Sequence, residues 1–255
     1  MRRRKRWTTI ERDLRAAKGP LLAGVDEVGR GPLAGPVVAC AVIMPGDTRA
    51  IAGVDDSKRL THDQRVRLSG IIRQRAVAFA IGAASVHEID RINIYQASAL
   101  AMQRALRRLT VTPDHVVIDG RVMRTLPIPH TAVVRGDARC FSIACASILA
   151  KVTRDLLMTR LSRRYPHYIW DHNAGYTTRE HVAGLTSYGI TPHHRKSFCR
   201  ISDLLLELER HSAMEDLEHT VLDDVGTPDE DELDDAMIAD DVMLDDLETG
   251  LEGRV

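Results

Sequence analysis

Two apolar runs, residues 21–28 and 37–44, stand on either side of a segment with Gly at 29, 31 and 35 and Pro at 32 and 36. Nothing else in the chain constrains its fold as tightly. Apolar runs of this length bounded by Gly and Pro read as buried strands joined by a turn, and two consecutive strands need a sheet around them. The first run is not wholly apolar. It closes with Asp26 and Glu27, and a charge at the end of a buried strand is costly unless it is paired or binds a metal.

Further strands are expected at 77–84, 115–119 and 131–134. Thr61-x-x-Gln64 is a capping box that opens a helix to about Arg75, with Val66, Leu68, Ile71 and Ile72 facing inward. Ser85-x-x-Glu88 caps a short helix, and a longer one over about 94–109 follows, with Ile94, Ala97, Ala101, Ala105 and Leu109 as its inward stripe. A long helix is expected at 140–163, another opening at Thr177-x-x-Glu180 and stopping near Gly189, and a last one at 202–211. This mixture implies an α/β fold, a mixed sheet with helices on its faces. A chain of 255 residues suffices for one such domain and a small appendage.

Several classes fall away. No apolar run approaches the roughly 18 residues that span a bilayer. The basic start, Met1 to Arg6, leads into no apolar stretch, so it is not a secretory signal, and a cytoplasmic location is expected. Cys40, Cys140, Cys145 and Cys199 form no C-x-x-C pair, which leaves a zinc or disulfide reading without its spacing. Neither a G-x-S-x-G elbow nor a phosphate-binding P-loop occurs.

The net charge of −1 conceals an asymmetry: residues 1–214 carry +15 and residues 215–255 carry −16. A basic body suits a polyanionic partner, although charge alone does not distinguish this from a merely soluble basic surface. Residues 1–17 read as a flexible basic arm. Residues 213–255, with acidic pairs and no aromatics, read as a disordered acidic tail. For the tail, a nucleic-acid mimic, a protein-docking segment and a solubility tail all stay open.

Asp119 ends the strand His115–Asp119, and Asp137 follows the strand at 131–134 after a turn. Strand ends in one sheet can meet at a point. Four carboxylates gathered there would repel one another and require a divalent cation, and an all-oxygen ligand set favours Mg²⁺ or Mn²⁺ over zinc. Strand-ending acids also serve as caps and turn formers, and the residues alone leave both readings open. Asp26 and Glu27 are adjacent and should point to opposite faces. They reach one site only if the strand breaks, and Gly29-Arg30-Gly31-Pro32 offers a break. The amides of that turn can approach a sugar–phosphate backbone, and Arg30 can bind phosphate.

The segment Asp26-Glu27-Val28-Gly29-Arg30-Gly31-Pro32-Leu33-Ala34-Gly35-Pro36-Val37 resembles the signature of the type-2 ribonucleases H, the ribonuclease HII family. The resemblance continues through Asp56-Ser57-Lys58-Arg59-Leu60, Asn93-Ile94, Val117-Ile118-Asp119-Gly120, Gly136-Asp137, the block 142–155, Gly175-Tyr176 and His194-Arg195-Lys196-Ser197-Phe198. It covers about residues 21–208. It implies a ribonuclease-H-like fold with a five-stranded mixed sheet over 18–165, followed by a helical substrate-binding region over 166–212. It implies an endonuclease that hydrolyses the RNA strand of RNA–DNA hybrids and cuts at ribonucleotides in duplex DNA. Two divalent ions, Mg²⁺ or Mn²⁺, would be held by Asp26, Glu27, Asp119 and Asp137, giving 5′-phosphate and 3′-hydroxyl ends. Gly29, Arg30, Gly31 and Tyr176 match the group that recognises the RNA–DNA junction, the turn's backbone reading the ribose 2′-hydroxyl and the Tyr ring packing on the next deoxyribose. Lys58 matches a basic residue near the substrate backbone. A monomer is expected, with a protein partner for the acidic tail left open. Thr177, where the family often has Gly, and Cys145, where Ala is common, depart from the pattern. Ser147 and Thr153 are read as helix packing.

Overall fold

In the computed structural model, residues 7, 9–46, 49–198, 201 and 203 are described. The acidic tail, the first six residues of the basic arm and, apart from Asp203, the helix expected at 202–211 lie outside the described residues. All five expected strands form: β1 (Leu22–Val28), β2 (Val37–Ile43), β3 (Ala78–Ala84), β4 (His115–Asp119) and β5 (His130–Val133). They make one sheet in the order β3-β2-β1-β4-β5. β2 runs antiparallel to both β1 and β3, whereas β4 lies parallel to β1 and β5 parallel to β4. The α3 crossover between β3 and β4 brings β4 in parallel to β1, and the irregular connection at 120–129 returns the chain so that β5 runs parallel to β4.

Strand alternation divides the core. On one face Ala23, Val25, Ala39, Ala41 and Ile43 pack against Ala97, Ala101, Met102 and Ala105 of α3 (Val86–Arg107). On the other, Val38, Cys40 and Val42 meet Ala144, Cys145, Ile148, Leu149 and Val152 of α5 (Phe141–Arg164). Helix and sheet approach closely because the facing residues are small. A Cβ at Gly24 would lie 2.4 Å from the Ser142 carbonyl carbon, so α5 rests on the β1 backbone itself. Cys40 is fully buried in the second of these cores.

α3 contains the short and the long helix expected there. They meet at Asn93, whose φ of 66° breaks the helix and whose Oδ1 accepts from the Tyr95 and Gln96 amides, capping the second part. The capping boxes of α2 (His62–Arg75) and α3 form as expected. Three local expectations need correction. Val66 is 44% exposed, because the buried side of α2 is carried by Leu68, Ser69 and Ile72. The helix α7 (Arg179–Tyr188) is capped by Thr178, which accepts from the His181 amide, and not by Thr177. The expected flexible arm is, over Ile10–Lys18, the helix α1. It is pinned by Glu11, which accepts from the Phe141 and Ser142 amides, and by Arg15, which donates to the Met44 carbonyl.

After α5 come the 3₁₀ turn Pro166–Tyr168, α6 (Trp170–Asn173) and α7. Their apolar residues Tyr168, Trp170 and Leu185 share a core with Met158 and Leu161 of α5 and with Leu33 and Ala34 of the β1–β2 loop. No helix of the described residues is long and apolar enough to cross a membrane.

Candidate active site

The sheet register builds the site. β1 and β4 pair in parallel as far as Val25 opposite Ile118, and the next residues along each strand are Asp26 and Asp119. Two acids therefore stand side by side at the carboxyl ends of adjacent parallel strands, where open α/β sheets place their ligands. β5 ends at Val133, Arg135 takes a left-handed conformation, and the short helix α4 (Gly136–Arg139) presents Asp137. The Gly136 amide donates to Asp119 Oδ1 at 2.6 Å, which locks this turn to the end of β4.

The expected strand break does not separate Asp26 from Glu27. β1 runs on to Val28, with Asp26 opposite Cys40 and Glu27 opposite Ala39. Alternation then sends Asp26 to the α5 face, where Ser147 hydrogen-bonds its carboxylate. Glu27 has the parity of Ala23 and Val25 and lies on the α3 face. The two come into electrostatic range of Asp119 only because they sit at the end of the sheet.

The carboxyl groups are perturbed together. Burial, followed by the charges of Glu27 and Asp119, holds Asp26 well above the usual carboxylate range. Burial also raises Glu27, with Arg30 opposing and Asp119 adding to the rise. Asp137 is raised by burial, then by Asp119 and Asp56, while Lys58 acts in the opposite direction. Mutual perturbation of this kind makes the acids a candidate functional site. Asp119 is common to all three shifts. Among the described residues, however, no three His, Cys, Asp or Glu side chains are closed on one point as a bound ion requires. The four are neighbours by charge, and Glu27 Oε1 also meets Arg30 Nη1 at 3.3 Å. The donor set nonetheless suits a hard divalent cation: all oxygen, of one sign, partly desolvated, with only Arg30 and Lys58 acting on it as cations.

The other expected residues gather around this cleft. Lys58, exposed on the 3₁₀ turn Ser57–Arg59, is close enough to act on Asp137. Gly31 and Tyr176, 145 positions apart in the chain, are adjacent: a Cβ on Gly31 would meet the Tyr176 ring at 3.8 Å and nothing else within 4 Å. Tyr176 is 44% exposed. Ser147 was missed. Its Oγ lies 2.9 Å from that of Ser57 and bonds Asp26, so it orients an acid instead of merely packing α5. Helical spacing marked its face as buried, but a hydroxyl on a buried stripe does not reveal what it bonds.

The sheet order, the strand senses and the perturbed acids at the parallel strand ends define a nuclease of the ribonuclease H class. The family model for ribonuclease HII matches residues 23–201. The chain belongs to the ribonuclease HII family. Curated relatives include ribonuclease HII of Granulibacter bethesdensis, 54% identical over 73% of this chain and 87% of that protein, and ribonuclease HII of Gluconobacter oxydans, 50% identical over 78% and 98%. Among solved structures, ribonuclease H2 of Pyrococcus horikoshii superposes with a TM-score of 0.62 at 25% identity, covering 72% of this chain and 96% of that one. A ribonuclease HIII solved with Mn²⁺ shares the fold, with a TM-score of 0.57 at 20% identity over 76% of this chain and 72% of that one.

Proposed function

We propose that this ribonuclease H hydrolyses the RNA strand of RNA–DNA hybrids and also cuts beside single ribonucleotides embedded in duplex DNA, leaving 5′-phosphate and 3′-hydroxyl ends. The observation that carries this reading is the set of acids coupled through Asp119 beside the run Gly29-Arg30-Gly31 and Tyr176. Asp26, Glu27, Asp119 and Asp137 are assigned to hold two divalent ions, Mg²⁺ or Mn²⁺. Ions bound there would supply an activated water and neutralise the leaving oxygen.

The chain's own groups do the rest. Ser147 keeps Asp26 turned into the cleft, and Gly136 keeps Asp119 there. Arg30, 48% exposed at its side chain, and the exposed Lys58 are assigned to the nucleic-acid backbone. The 2′-hydroxyl distinguishes RNA from DNA at a site, and the amides of Gly29, Arg30 and Gly31 are assigned to read it while the Tyr176 ring rests on the following deoxyribose. Gly31 supports this: it is exposed and the fold leaves open space beside it, so a substrate group can approach its backbone closely.

The test is cleavage of duplex DNA carrying one ribonucleotide, with Mg²⁺ and Mn²⁺ varied. Asp119→Asn should reduce the rate by at least about a thousandfold, since it removes the charge common to the cluster, while hybrid binding persists. Full activity of that variant, or cutting of ribonucleotide-free DNA at an equal rate, would refute the reading.

A further inference from the structure

Two guanidinium groups lie beneath the β1–β2 loop, and among the described residues neither is hydrogen-bonded to a carboxylate. Arg154 of α5 and Arg195 are both 0% exposed, and among the described residues neither forms an ion pair. Their donors go instead to main-chain carbonyls. Arg195 Nη2 donates to Gly29 O at 2.6 Å and Gly35 O at 2.7 Å, Nη1 to Arg30 O at 3.0 Å, and Nε to Gly35 O at 2.9 Å. Arg154 Nε donates to Pro36 O at 3.0 Å, Nη2 to Ala34 O at 3.0 Å, and Nη1 to Ala174 O at 2.9 Å.

A buried cation without a directly bonded carboxylate is expensive, and here Asp155 acts on Arg154 and Asp90 on Arg195 only through space. Burial lowers Arg154 to about 10 and Arg195 to about 9, which leaves both protonated near neutrality. An apolar side chain would fill the space at lower cost. What the pair does that an apolar residue cannot is bind carbonyls along both halves of the junction-reading group. The carbonyls of Gly29 and Arg30 are drawn inward, and the amides of Gly29, Arg30 and Gly31 are left without an intramolecular partner among the described residues. Successive free amides of this kind form an anion- or oxygen-binding concavity. Through Ala174, Arg154 ties the same loop to the turn that carries Tyr176. The Leu33 amide, which donates to Gly175 O at 2.8 Å, makes a second tie.

We propose that Arg154 and Arg195 are positioning residues for ribonucleotide recognition, turning the carbonyls of the 29–36 loop inward so that its amides and Tyr176 face the substrate ribose as one unit. The inference rests on the junction role of Gly29–Gly31 and Tyr176 stated above.

The experiment uses the full chain and compares kcat/KM on duplex DNA with one ribonucleotide against kcat/KM on a uniform RNA–DNA hybrid. The ratio is the junction preference. Arg195→Lys keeps the charge and removes the planar fork. It should lower the preference by about tenfold, in the same direction as Tyr176→Ala, and the double variant should lose little more than either single one, as coupled residues do. Arg154→Lys should behave alike and carries the test if Arg195→Lys fails to fold. An unchanged preference in the folded lysine variants, equal losses on both substrates, or additive losses in the double variant would overturn the proposal, as would failure of both variants to fold, which would make the pair a support for the body alone. If Tyr176→Ala itself left the preference unchanged, the junction reading would fall first and the proposal with it.

Discussion

Gly31 is where the demands of the fold and of the substrate separate. Its φ is not in the left-handed region, it is exposed, and an added methyl would touch only the Tyr176 ring at 3.8 Å. Gly31→Ala should therefore leave the thermal midpoint almost unmoved, within the roughly ±0.5 kcal/mol of ordinary surface changes. Yet the methyl would occupy the space beside the free amides. Cleavage at a single embedded ribonucleotide should fall by about tenfold or more, a loss of roughly 1.4 kcal/mol in transition-state binding. Wild-type rates in that variant would remove the amides from recognition. At this scale the sequence offered candidates but not their neighbourhoods. The resemblance picked out Asp26, Asp119, Gly31 and Tyr176 by number, but nothing local to Gly31 announces a tyrosine 145 residues away. The same holds for Ser147, whose hydroxyl was read as packing.

Among the elements, α1 shows how a segment can be mistaken for an arm. Arg and Lys abound in residues 1–18, and so many charges suggested solvent. The helix is nonetheless docked, because α5 begins at Cys140 with no side-chain cap of its own and has no acid in its first turn. Glu11 supplies both from a distance, accepting at 2.6 Å from Phe141 N and at 3.3 Å from Ser142 N. A carboxylate at a helix N-terminus satisfies orphan amides and opposes the positive end of the dipole. Glu11→Ala should cost about 2 kcal/mol, lowering the thermal midpoint by about 4–8 °C. Glu11→Gln, which keeps an acceptor without the charge, should lose less. If calorimetry showed no change for Glu11→Ala, α1 would be an ornament after all. Elements with internal signals were read correctly: the capping boxes at Thr61 and Ser85 and the stripe Ala97, Ala101, Ala105. Thr177 and Thr178 both fit a cap on paper, and only the backbone geometry selected Thr178.

At the scale of the whole molecule, the segment after α5 is held together by a buried histidine pair, and the backbone around His194 bridges to Ala34 of the β1–β2 loop. His181 Nε2 and His194 Nε2 are 3.1 Å apart, His181 Nδ1 donates to Tyr176 O at 2.9 Å, Trp170 Nε1 donates to His181 Nε2, and His194 Nδ1 accepts from Thr191 N at 2.8 Å. These bonds allow one arrangement of protons: His181 carries hydrogen on Nδ1, and His194 carries it on Nε2. A further proton on either ring would set donor against donor. Burial, then the neighbouring His181 and His193, brings His194 down to about 3, and burial also lowers His181. The unfolded chain keeps histidines near 6.5. Between about pH 6.5 and pH 3 the unfolded state thus binds more protons, so stability rises with pH and is lost as pH falls through that window. The urea midpoint should drop from pH 7.5 to pH 5.5, and His194→Gln should flatten that dependence. An identical slope in the variant would show that the pair is not its source.

By itself the sequence determined the strands, most of the helices, the division of the α3 region into a short and a long helix, and the turn after β1, because each depends on residues within a few positions of one another; the acids it assigned only through the family resemblance. Only the tertiary structure decided that Val25 pairs with Ile118, which brings Asp26 beside Asp119. It alone brought Glu27, on the face that alternation had assigned it, within reach of Asp119, seated Tyr176 against Gly31, and put two buried guanidinium groups, without an ion pair among the described residues, beneath the recognition loop. The reason is physical. Propensity, capping and periodicity act along the chain, whereas strand register and the partners of buried polar groups follow from how distant segments pack and from which donors and acceptors remain to be satisfied once water is excluded.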